Sequence, residues 1–269
     1  MTIKLVALDM DGTLLNSQNK ILPSTKKVIT QALDRGIKIV LTSGRPIAGL
    51  KEYLDELKIP QTEQYVVTLN GAITRSTDGS IIDSFLVNKT FYEEMTKFGK
   101  DHHVPFNIVD PDSRIITADT DVDYFELLQA WENNAGMFIR KPSDFDDDFM
   151  ISKGCYVGDK DKLDEVEPLL RKEFGQDLYI VRADDHFLEL LNPNVNKGNA
   201  LHDLGEKIGI SSDEMAAFGD EKNDISMFNE VGTAICMENG SDEAKSAATY
   251  ITDSNDEDGI AHAFEKYIF

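Results

Sequence analysis

The feature that most constrains the fold is the alternation of short apolar strands with amphipathic helices over the first 71 residues. Strands are predicted at residues 4–8, 37–41 and 65–69. The helix after the first strand is predicted to begin at Ser24 as N-cap and to end at Gly36, and the next helix carries Pro46 in its first turn. Apolar strands separated by helices are typical of a parallel sheet with right-handed crossovers.

The middle of the chain has a different pattern. A hairpin is predicted to turn at Asp78-Gly79. Beyond it, helices are predicted at 90–101, 121–133 and 161–174, and strands at 105–109, 114–118, 136–140, 151–157 and 178–191. This mixture predicts an α+β domain with its own core. Because the alternation resumes after Asn192, we expect an α/β core domain formed by residues 1–83 and 190–269, and an inserted domain at 84–189.

Polar residues follow four of the predicted core strands. They are Asp9-Met10-Asp11-Gly12-Thr13, Thr42-Ser43-Gly44-Arg45, Asn70-Gly71, and Gly219-Asp220 with Asn223-Asp224. Ligands of parallel α/β sheets bind beyond the carboxyl ends of the strands, so neighbouring strands would bring these side chains together. Carboxylates so close disfavour one another's ionised form unless a cation lies among them. Oxygen ligands beside a phosphate favour Mg²⁺.

The pair Asp9 and Asp11 has a specific chemical use. In an extended segment, residues i and i+2 point to the same side, so both carboxylates can approach one reacting group. One can attack phosphorus, and the other can protonate the leaving oxygen and later deprotonate water. Gly12 lets the chain turn away after the pair. Ser43 and a lysine suit the charge on phosphoryl oxygens.

Net charge limits the partners. The chain has 27 Lys+Arg and 49 Asp+Glu, which gives −22. Such a field repels nucleic acid and anionic membranes, so we expect neither as a partner. It also repels small phosphorylated metabolites, so a cation and local donors must reverse the potential at the site. No apolar run is long enough for a membrane span and no signal peptide is predicted, which makes the cytoplasm the default location.

The ordered motifs resemble those of the haloacid dehalogenase superfamily. Asp9 to Thr13 resembles its first motif, DxDGT, and Ser43-Gly44-Arg45 its second. Lys197-Gly198 resembles the third, and Gly219 to Asp224 the fourth, GDxxND. The position of the insert, between the second and third motifs, is similar to that of Cof-type phosphatases with a large cap. The resemblance runs nearly end to end.

The resemblance implies a fold and an activity. The fold is a Rossmann-like parallel-sheet core with an inserted α+β cap domain. The activity is Mg²⁺-dependent hydrolysis of phosphomonoesters of small metabolites, above all sugar phosphates, through an aspartyl-phosphate on Asp9. The sequence does not indicate which metabolite is cleaved or what the oligomeric state is.

The resemblance also implies roles for individual residues. Asp9 would be nucleophile and metal ligand, and Asp11 general acid/base with its backbone carbonyl on the metal. Asp220 would complete the metal ligands with support from Asp224. The metal set is therefore Asp9, Asp11, Asp220 and Asp224. The phosphate and substrate set is Met10, Ser43, Gly44, Arg45, Asn70, Gly71, Lys197 and Asn223, in which Arg45, Asn70 and Gly71 are included for their positions at strand ends.

Several other features have plain structural interpretations. The acidic run at 144–148 is interpreted as a solvated face, and His102-His103 as charges at a helix C-terminus. Trp131, on an amphipathic helix, is expected in a core. Cys155 and Cys236 lack the spacing of a metal site and are expected as inert core thiols. His186 and Glu189, near the return to the core domain, are candidates for contact with substrate.

Two other hypotheses remain open. A phosphomutase or phosphotransferase would use the same aspartyl-phosphate but pass the phosphoryl group to another hydroxyl. A phosphoacceptor module, like the receivers of response regulators, also combines an acidic cluster, a hydroxyl and a lysine. The second carboxylate at i+2, the large insert and the chain length argue against such a receiver.

Overall fold

The computed structural model describes residues 2–269, which divide into two compact units. The core unit contains residues 2–44, Lys51–Ser84 and Asn196–Phe269, and the inserted unit contains Arg45–Leu50 and Phe85–Val195. The predicted boundaries differ from these units in three places. The prediction kept residues 45–50 in the core, began the inserted domain at residue 84 instead of Phe85, and returned to the core at residue 190, inside a strand of the inserted unit.

The first core segment has five strands and two helices. These are β1 (Leu5–Asp9), α1 (Pro23–Asp34), β2 (Lys38–Thr42), α2 (Lys51–Glu56), β3 (Tyr65–Thr68), β4 (Ile73–Ser76) and β5 (Ile81–Ser84). Ser24 is not the N-cap of α1 as predicted, because Leu22 occupies that position with Pro23 as the first helical residue. Instead, the Ser24 hydroxyl donates a hydrogen bond to the Asp258 carboxylate.

The inserted unit has eight strands and three helices. These are β6 (Val87–Asn88), α3 (Lys89–His102), β7 (Phe106–Val109), β8 (Ile115–Thr117), α4 (Tyr124–Glu132), β9 (Met137–Ile139), β10 (Met150–Ile151), β11 (Lys153–Val157), α5 (Lys160–Phe174), β12 (Tyr179–Asp184) and β13 (Phe187–Leu191). The single strand predicted at 178–191 is therefore a hairpin, and the strand predicted at 151–157 is divided at Ser152.

The second core segment contains α6 (Lys197–Ile208), β14 (Met215–Gly219), α7 (Ile225–Glu230), β15 (Thr233–Cys236), α8 (Asp242–Ala247), β16 (Tyr250–Ile251) and α9 (Gly259–Ala263). Both core segments contribute to one eight-stranded sheet in the order β16-β15-β14-β1-β2-β3-β4-β5. The strands from β16 to β3 are parallel, and β4 and β5 continue the sheet as an antiparallel hairpin.

This topology explains the strand sequences and positions the site. All five residues of β1 and of β14 are buried, as expected for central parallel strands covered on both faces. Side chains of α6 and α7 pack on one face, in a cluster with Leu5, Ala7 and Val40. Because β14, β1, β2 and β3 are direct neighbours, their carboxyl ends meet at one edge of the sheet. The predicted α/β class with an inserted α+β domain is confirmed.

The inserted unit has a separate core. Its main sheet has the order β12-β13-β11-β7-β8-β9, and β6 pairs with β10. Side chains of α3 and α5 pack on one face of the main sheet around Tyr92, Phe106 and Tyr156. The prediction that Trp131 lies in a core is wrong, because its side chain is 79% exposed. Cys155 and Cys236 are both buried and free, and within residues 2–269 no helix combines the length and apolarity needed to cross a membrane.

Candidate active site

The segment after β1 folds back on itself and holds the first motif in place. The amides of Leu14 and Leu15 donate to the carbonyls of Asp9 and Met10, at 3.1 and 2.9 Å. Gly12 has a φ of +78°, and a Cβ atom there would collide with the Asp220 carboxylate. The chain therefore needs glycine at this position both for its backbone conformation and for the approach of Asp220.

Lys197 joins two carboxylates at the centre of the site. Its ammonium nitrogen lies 2.5 Å from Asp9 Oδ1 and 2.5 Å from Asp224 Oδ1. Lys197 is the first residue of α6, where its charge opposes the helix dipole, and its side chain is fully buried. The buried carboxylates of Asp9 and Asp224 compensate both for the burial of the ammonium group and for its unfavourable position at the helix N-terminus. The lysine of the third motif thus has a defined electrostatic function in the structure.

The fourth motif is organised around Asp224. Its Oδ2 accepts hydrogen bonds from the backbone amides of Asp220 and Glu221, at 2.9 and 3.0 Å. The Thr13 hydroxyl donates to Asp220 Oδ1 at 2.7 Å and so links the first motif to the fourth. With Oδ1 on Lys197 and Oδ2 on two amides, Asp224 is well placed to fix the lysine and the loop after β14.

Burial and like charge determine the electrostatics of the site. Asp9, Asp220 and Asp224 each direct a carboxylate oxygen into a group whose atoms all lie within 4.8 Å of one another. Burial and the nearby Asp224 raise the pKa of Asp9 well above its ordinary value, although Lys197 acts in the opposite direction. Burial raises the pKa of Asp220 to about 6. Burial disfavours the charged form of Lys197, but Asp9 and Asp224 outweigh it and raise its pKa.

This group fits a divalent cation. Three carboxylates and one ammonium leave an excess of negative charge in a buried site, and the raised pKa values are the electrostatic cost of that excess. A hard cation with oxygen ligands would remove the cost. The group contains three of the four predicted metal residues. Asp11 is outside it and exposed, and its predicted role through the backbone carbonyl stays a prediction.

The second and third core strands bring the predicted phosphate-side residues together. Ser43 is buried, and its carbonyl accepts a hydrogen bond from the Asn70 amide at 2.9 Å. The Asn70 side-chain oxygen accepts from Asn223 at 3.2 Å. A Cβ atom at Gly44 would lie 3.2 Å from the Asn70 side chain, and one at Gly71, where φ is +105°, would collide with the Asn196 carbonyl.

Three further observations concern predicted residues. Asn70 itself has a φ of +56°, an uncommon conformation for a non-glycine residue that often marks functional sites. Met10 is fully buried between Asp9 and Asp11. Arg45 is half-buried and belongs to the inserted unit, so its predicted contact with substrate remains a prediction.

Sequence reasoning missed three supporting residues. Thr13 was noted only as part of a motif, and its bond to Asp220 spans 207 positions of the chain. Asn239 donates to the Gly12 carbonyl and Asn255 to the Leu15 carbonyl, each at 2.8 Å. Nothing in the local sequence indicates the role of Asn239. Asn255 lies in an Asn-Asp-Glu-Asp-Gly run that resembles the family, but the local pattern does not indicate its bond to Leu15.

Comparison with known proteins agrees with the site. Residues 6–264 match the haloacid dehalogenase-like hydrolase family. YxeH of Bacillus subtilis (strain 168) is 31% identical over 98% of each chain. The 5-amino-6-(5-phospho-D-ribitylamino)uracil phosphatase YcsE of the same organism is 30% identical over 99% of this chain and 96% of its own. A haloacid dehalogenase-like hydrolase from Bacteroides thetaiotaomicron is 29% identical, covers 100% of both chains and superposes with a TM-score of 0.89.

The chain therefore belongs to the haloacid dehalogenase-like hydrolase family. Its core unit has an aspartate pair at the end of β1, a buried lysine at the start of α6 and an acidic loop after β14, which are three of the four motifs on which the resemblance rests. The predicted enzyme class, a phosphatase of this family, is confirmed.

Proposed function

We propose that this phosphatase is Mg²⁺-dependent and hydrolyses phosphomonoesters of small metabolites, above all sugar phosphates, through an aspartyl-phosphate on Asp9. The observation that carries the proposal is the position of Asp9. Its carboxylate ends β1, is bound by the buried Lys197, and lies within 4.8 Å of two further carboxylates. A carboxylate that is held by the Lys197 ammonium group is suited to attack phosphorus once a metal ion balances the negative charge of the neighbouring carboxylates.

The first half-reaction forms the intermediate. The Asp9 carboxylate attacks the phosphorus atom, and the bond from phosphorus to the leaving oxygen breaks as the bond to Asp9 forms. Asp11, which is exposed and can exchange protons with solvent, donates a proton to the leaving alcohol. The Ser43 hydroxyl, the Met10 and Gly44 amides and Lys197 interact with the phosphoryl oxygens, with Asn70 and Asn223 beside them.

The second half-reaction releases phosphate. Asp11, now a carboxylate, removes a proton from a water molecule that attacks phosphorus, and the bond from Asp9 to phosphorus breaks. Asp9 returns as a carboxylate bound to Lys197, and inorganic phosphate leaves. Mg²⁺, held by Asp9, the Asp11 carbonyl and Asp220 with Asp224 behind them, would neutralise phosphoryl charge throughout.

The substrate class rests on a relative and on the charge of the chain. YcsE is named for a substrate whose 5-phospho-D-ribityl group is a sugar-alcohol phosphate ester. The net charge of −22 disfavours polyanionic substrates such as nucleic acid. We propose that the inserted unit, residues 84–189 in the sequence prediction, is the cap domain and that the protein acts in the cytoplasm.

Phosphate release from a panel of sugar, polyol and nucleoside monophosphates tests the proposal, with Mg²⁺ or with EDTA. We expect release that requires Mg²⁺ and that Asp9→Asn abolishes, because an amide is a poor nucleophile of nearly the same shape. Asp55→Asn, on an exposed residue of α2, is the matched control and should retain full activity. Transfer of phosphate between hydroxyls without release would instead identify a phosphomutase, and equal activity in EDTA would refute the metal requirement.

A further inference from the structure

The loop that carries Asp11 is held by two asparagine side chains from the C-terminal part of the chain. Asn239 Nδ2 donates a hydrogen bond to the Gly12 carbonyl, and Asn255 Nδ2 donates one to the Leu15 carbonyl, each at 2.8 Å. The two contacts span 227 and 240 positions of the chain, and all of these residues belong to the core unit. The loop is therefore fixed at the residue after Asp11 and again three residues later.

A third hydrogen bond joins the two asparagines. The backbone amide of Asn255 donates to Asn239 Oδ1 at 3.0 Å. A backbone N–H can only donate, so the atom of Asn239 that faces it must be the oxygen, and Nδ2 then faces the Gly12 carbonyl, which can only accept. The network thus fixes the orientation of the Asn239 amide. We refer to Asn239 and Asn255 together as the amide clasp.

The amide clasp lies at the sheet edge that carries the site. Asn239 follows β15 and Asn255 follows β16, and these strands continue the parallel sheet next to β14, which ends before Asp220. Asn239 is exposed and Asn255 is half-buried, so neither side chain fills a hydrophobic core. Their hydrogen bonds therefore act on the loop after β1 and contribute little to the packing of the core unit.

The backbone next to Asp11 needs such an anchor. Gly12 has a φ of +78° and no side chain, so its conformation is easily changed unless an external contact holds its peptide groups. The Asp11 side chain is exposed, and its direction follows from the backbone of these two residues. A general acid must lie within hydrogen-bond reach of the leaving oxygen, and a misplacement of about 1 Å can cost roughly 100-fold in rate.

We propose that Asn239 is a positioning residue for the proposed reaction. Its bond to the Gly12 carbonyl fixes the direction in which Asp11 delivers a proton, and Asn255 orients Asn239 and holds the far end of the loop. This inference rests on the proposed function, in which Asp11 protonates the leaving alcohol. Because Asn239 acts through Asp11, its bond matters for substrates whose leaving group needs a proton and has little effect on the others.

The test compares two substrates that differ in this need. Sorbitol 6-phosphate releases an alcohol, whose oxygen must be protonated, whereas p-nitrophenyl phosphate releases a stable phenolate. We expect Asn239→Ala to lower kcat/KM about tenfold for sorbitol 6-phosphate and at most about twofold for p-nitrophenyl phosphate. Asp11→Asn, which removes the acid itself, should show the same pattern with a loss of about 100-fold or more for sorbitol 6-phosphate.

Two more variants separate the bond to Gly12 from its surroundings. Asn239→Asp keeps an acceptor for the Asn255 amide but loses the donor to Gly12, so it should give the same pattern as Asn239→Ala. Its added charge acts on the same phosphoryl group in both substrates and does not change their ratio. Thr77→Val is the matched control, because it removes a side-chain bond to the Pro60 carbonyl of 2.7 Å elsewhere in the core unit, and it should leave both values unchanged.

The ratio of the two kcat/KM values decides between the outcomes. A ratio that falls in Asp11→Asn but not in the Asn239 variants would overturn the positioning role and leave the proposed function intact. Equal losses on both substrates would show that Asn239 is only structural. A ratio unchanged in Asp11→Asn would refute the acid role, and the positioning role with it. If Asn239→Ala does not fold, Asn239→Asp decides.

The wild-type enzyme provides the reference for these ratios. If it cleaves only aryl esters, phenyl phosphate, whose leaving group is more basic than p-nitrophenolate, replaces sorbitol 6-phosphate in the same comparison. A wild type that cleaves none of these esters with Mg²⁺ refutes the phosphatase function itself.

Discussion

Replacing Lys197 with Met tests whether one buried ammonium group holds the acidic centre together. The side chain is fully buried and bonds Asp9 and Asp224 at 2.5 Å each, so its removal leaves two buried carboxylates without compensation. Breaking a buried charge pair from one side costs about 3–5 kcal/mol. Met retains most of the volume, so we expect Lys197→Met to lower the free energy of unfolding of the core by about 3–5 kcal/mol in EDTA.

The control and the double variant sharpen this prediction. Lys207→Met, on the same helix, removes an exposed lysine that pairs with Asp83 and should cost at most about 1 kcal/mol. Adding Asp224→Asn to Lys197→Met neutralises one orphaned carboxylate and should restore about 1–3 kcal/mol.

The assay must report on the core. Trp131 is the only tryptophan and belongs to the inserted unit, so urea unfolding should be followed by far-ultraviolet circular dichroism as well as by fluorescence. The fluorescence transition should stay in place while the core transition moves to lower urea. A cost of Lys197→Met below about 1 kcal/mol, or no recovery in the double variant, would refute the electrostatic argument.

Three further predictions follow from single contacts. Thr13→Val removes the hydroxyl that orients Asp220 and should weaken Mg²⁺ activation about 10- to 100-fold, measured as the Mg²⁺ concentration for half-maximal activity, whereas an unchanged value would exclude an orienting role. Gly12→Ala places a Cβ atom against Asp220 at a φ of +78° and should lower kcat/KM at least about 100-fold, and activity near wild type would contradict the need for glycine. Burial raises the pKa of Glu126 from 4.5 to about 7, so the unfolded chain loses this proton first as pH rises. The protonated carboxyl group therefore stabilises the fold fully below pH 4.5, and this stabilisation is lost by about pH 7. Glu126→Gln should remove this pH dependence, which amounts to roughly 2–3 kcal/mol at most in the free energy of unfolding, measured by urea unfolding at each pH.

The failed predictions share a physical cause. Ser24 has the chemistry of an N-cap, but the helix begins at Pro23 and its N-cap, Leu22, lies two residues earlier than predicted. The Ser24 hydroxyl pairs instead with Asp258, 234 positions away. Trp131 has the helical spacing of a core residue, yet α4 buries its polar side instead. Local pattern predicts that a helix forms and has two sides, but the surface on which it packs decides which side is buried.

The sequence by itself determined the class of the protein and the kinds of residue that follow its core strands. Apolar strands alternating with helices required a parallel sheet, and the four motifs located Asp9, Lys197 and Asp220 at the ends of core elements, because a parallel sheet collects its strand ends at one edge. Only the tertiary structure decided the pairings. Lys197 reaches Asp9 across 188 positions of the chain, and Thr13 reaches Asp220 across 207. Such contacts depend on how distant segments pack, which local sequence pattern does not encode.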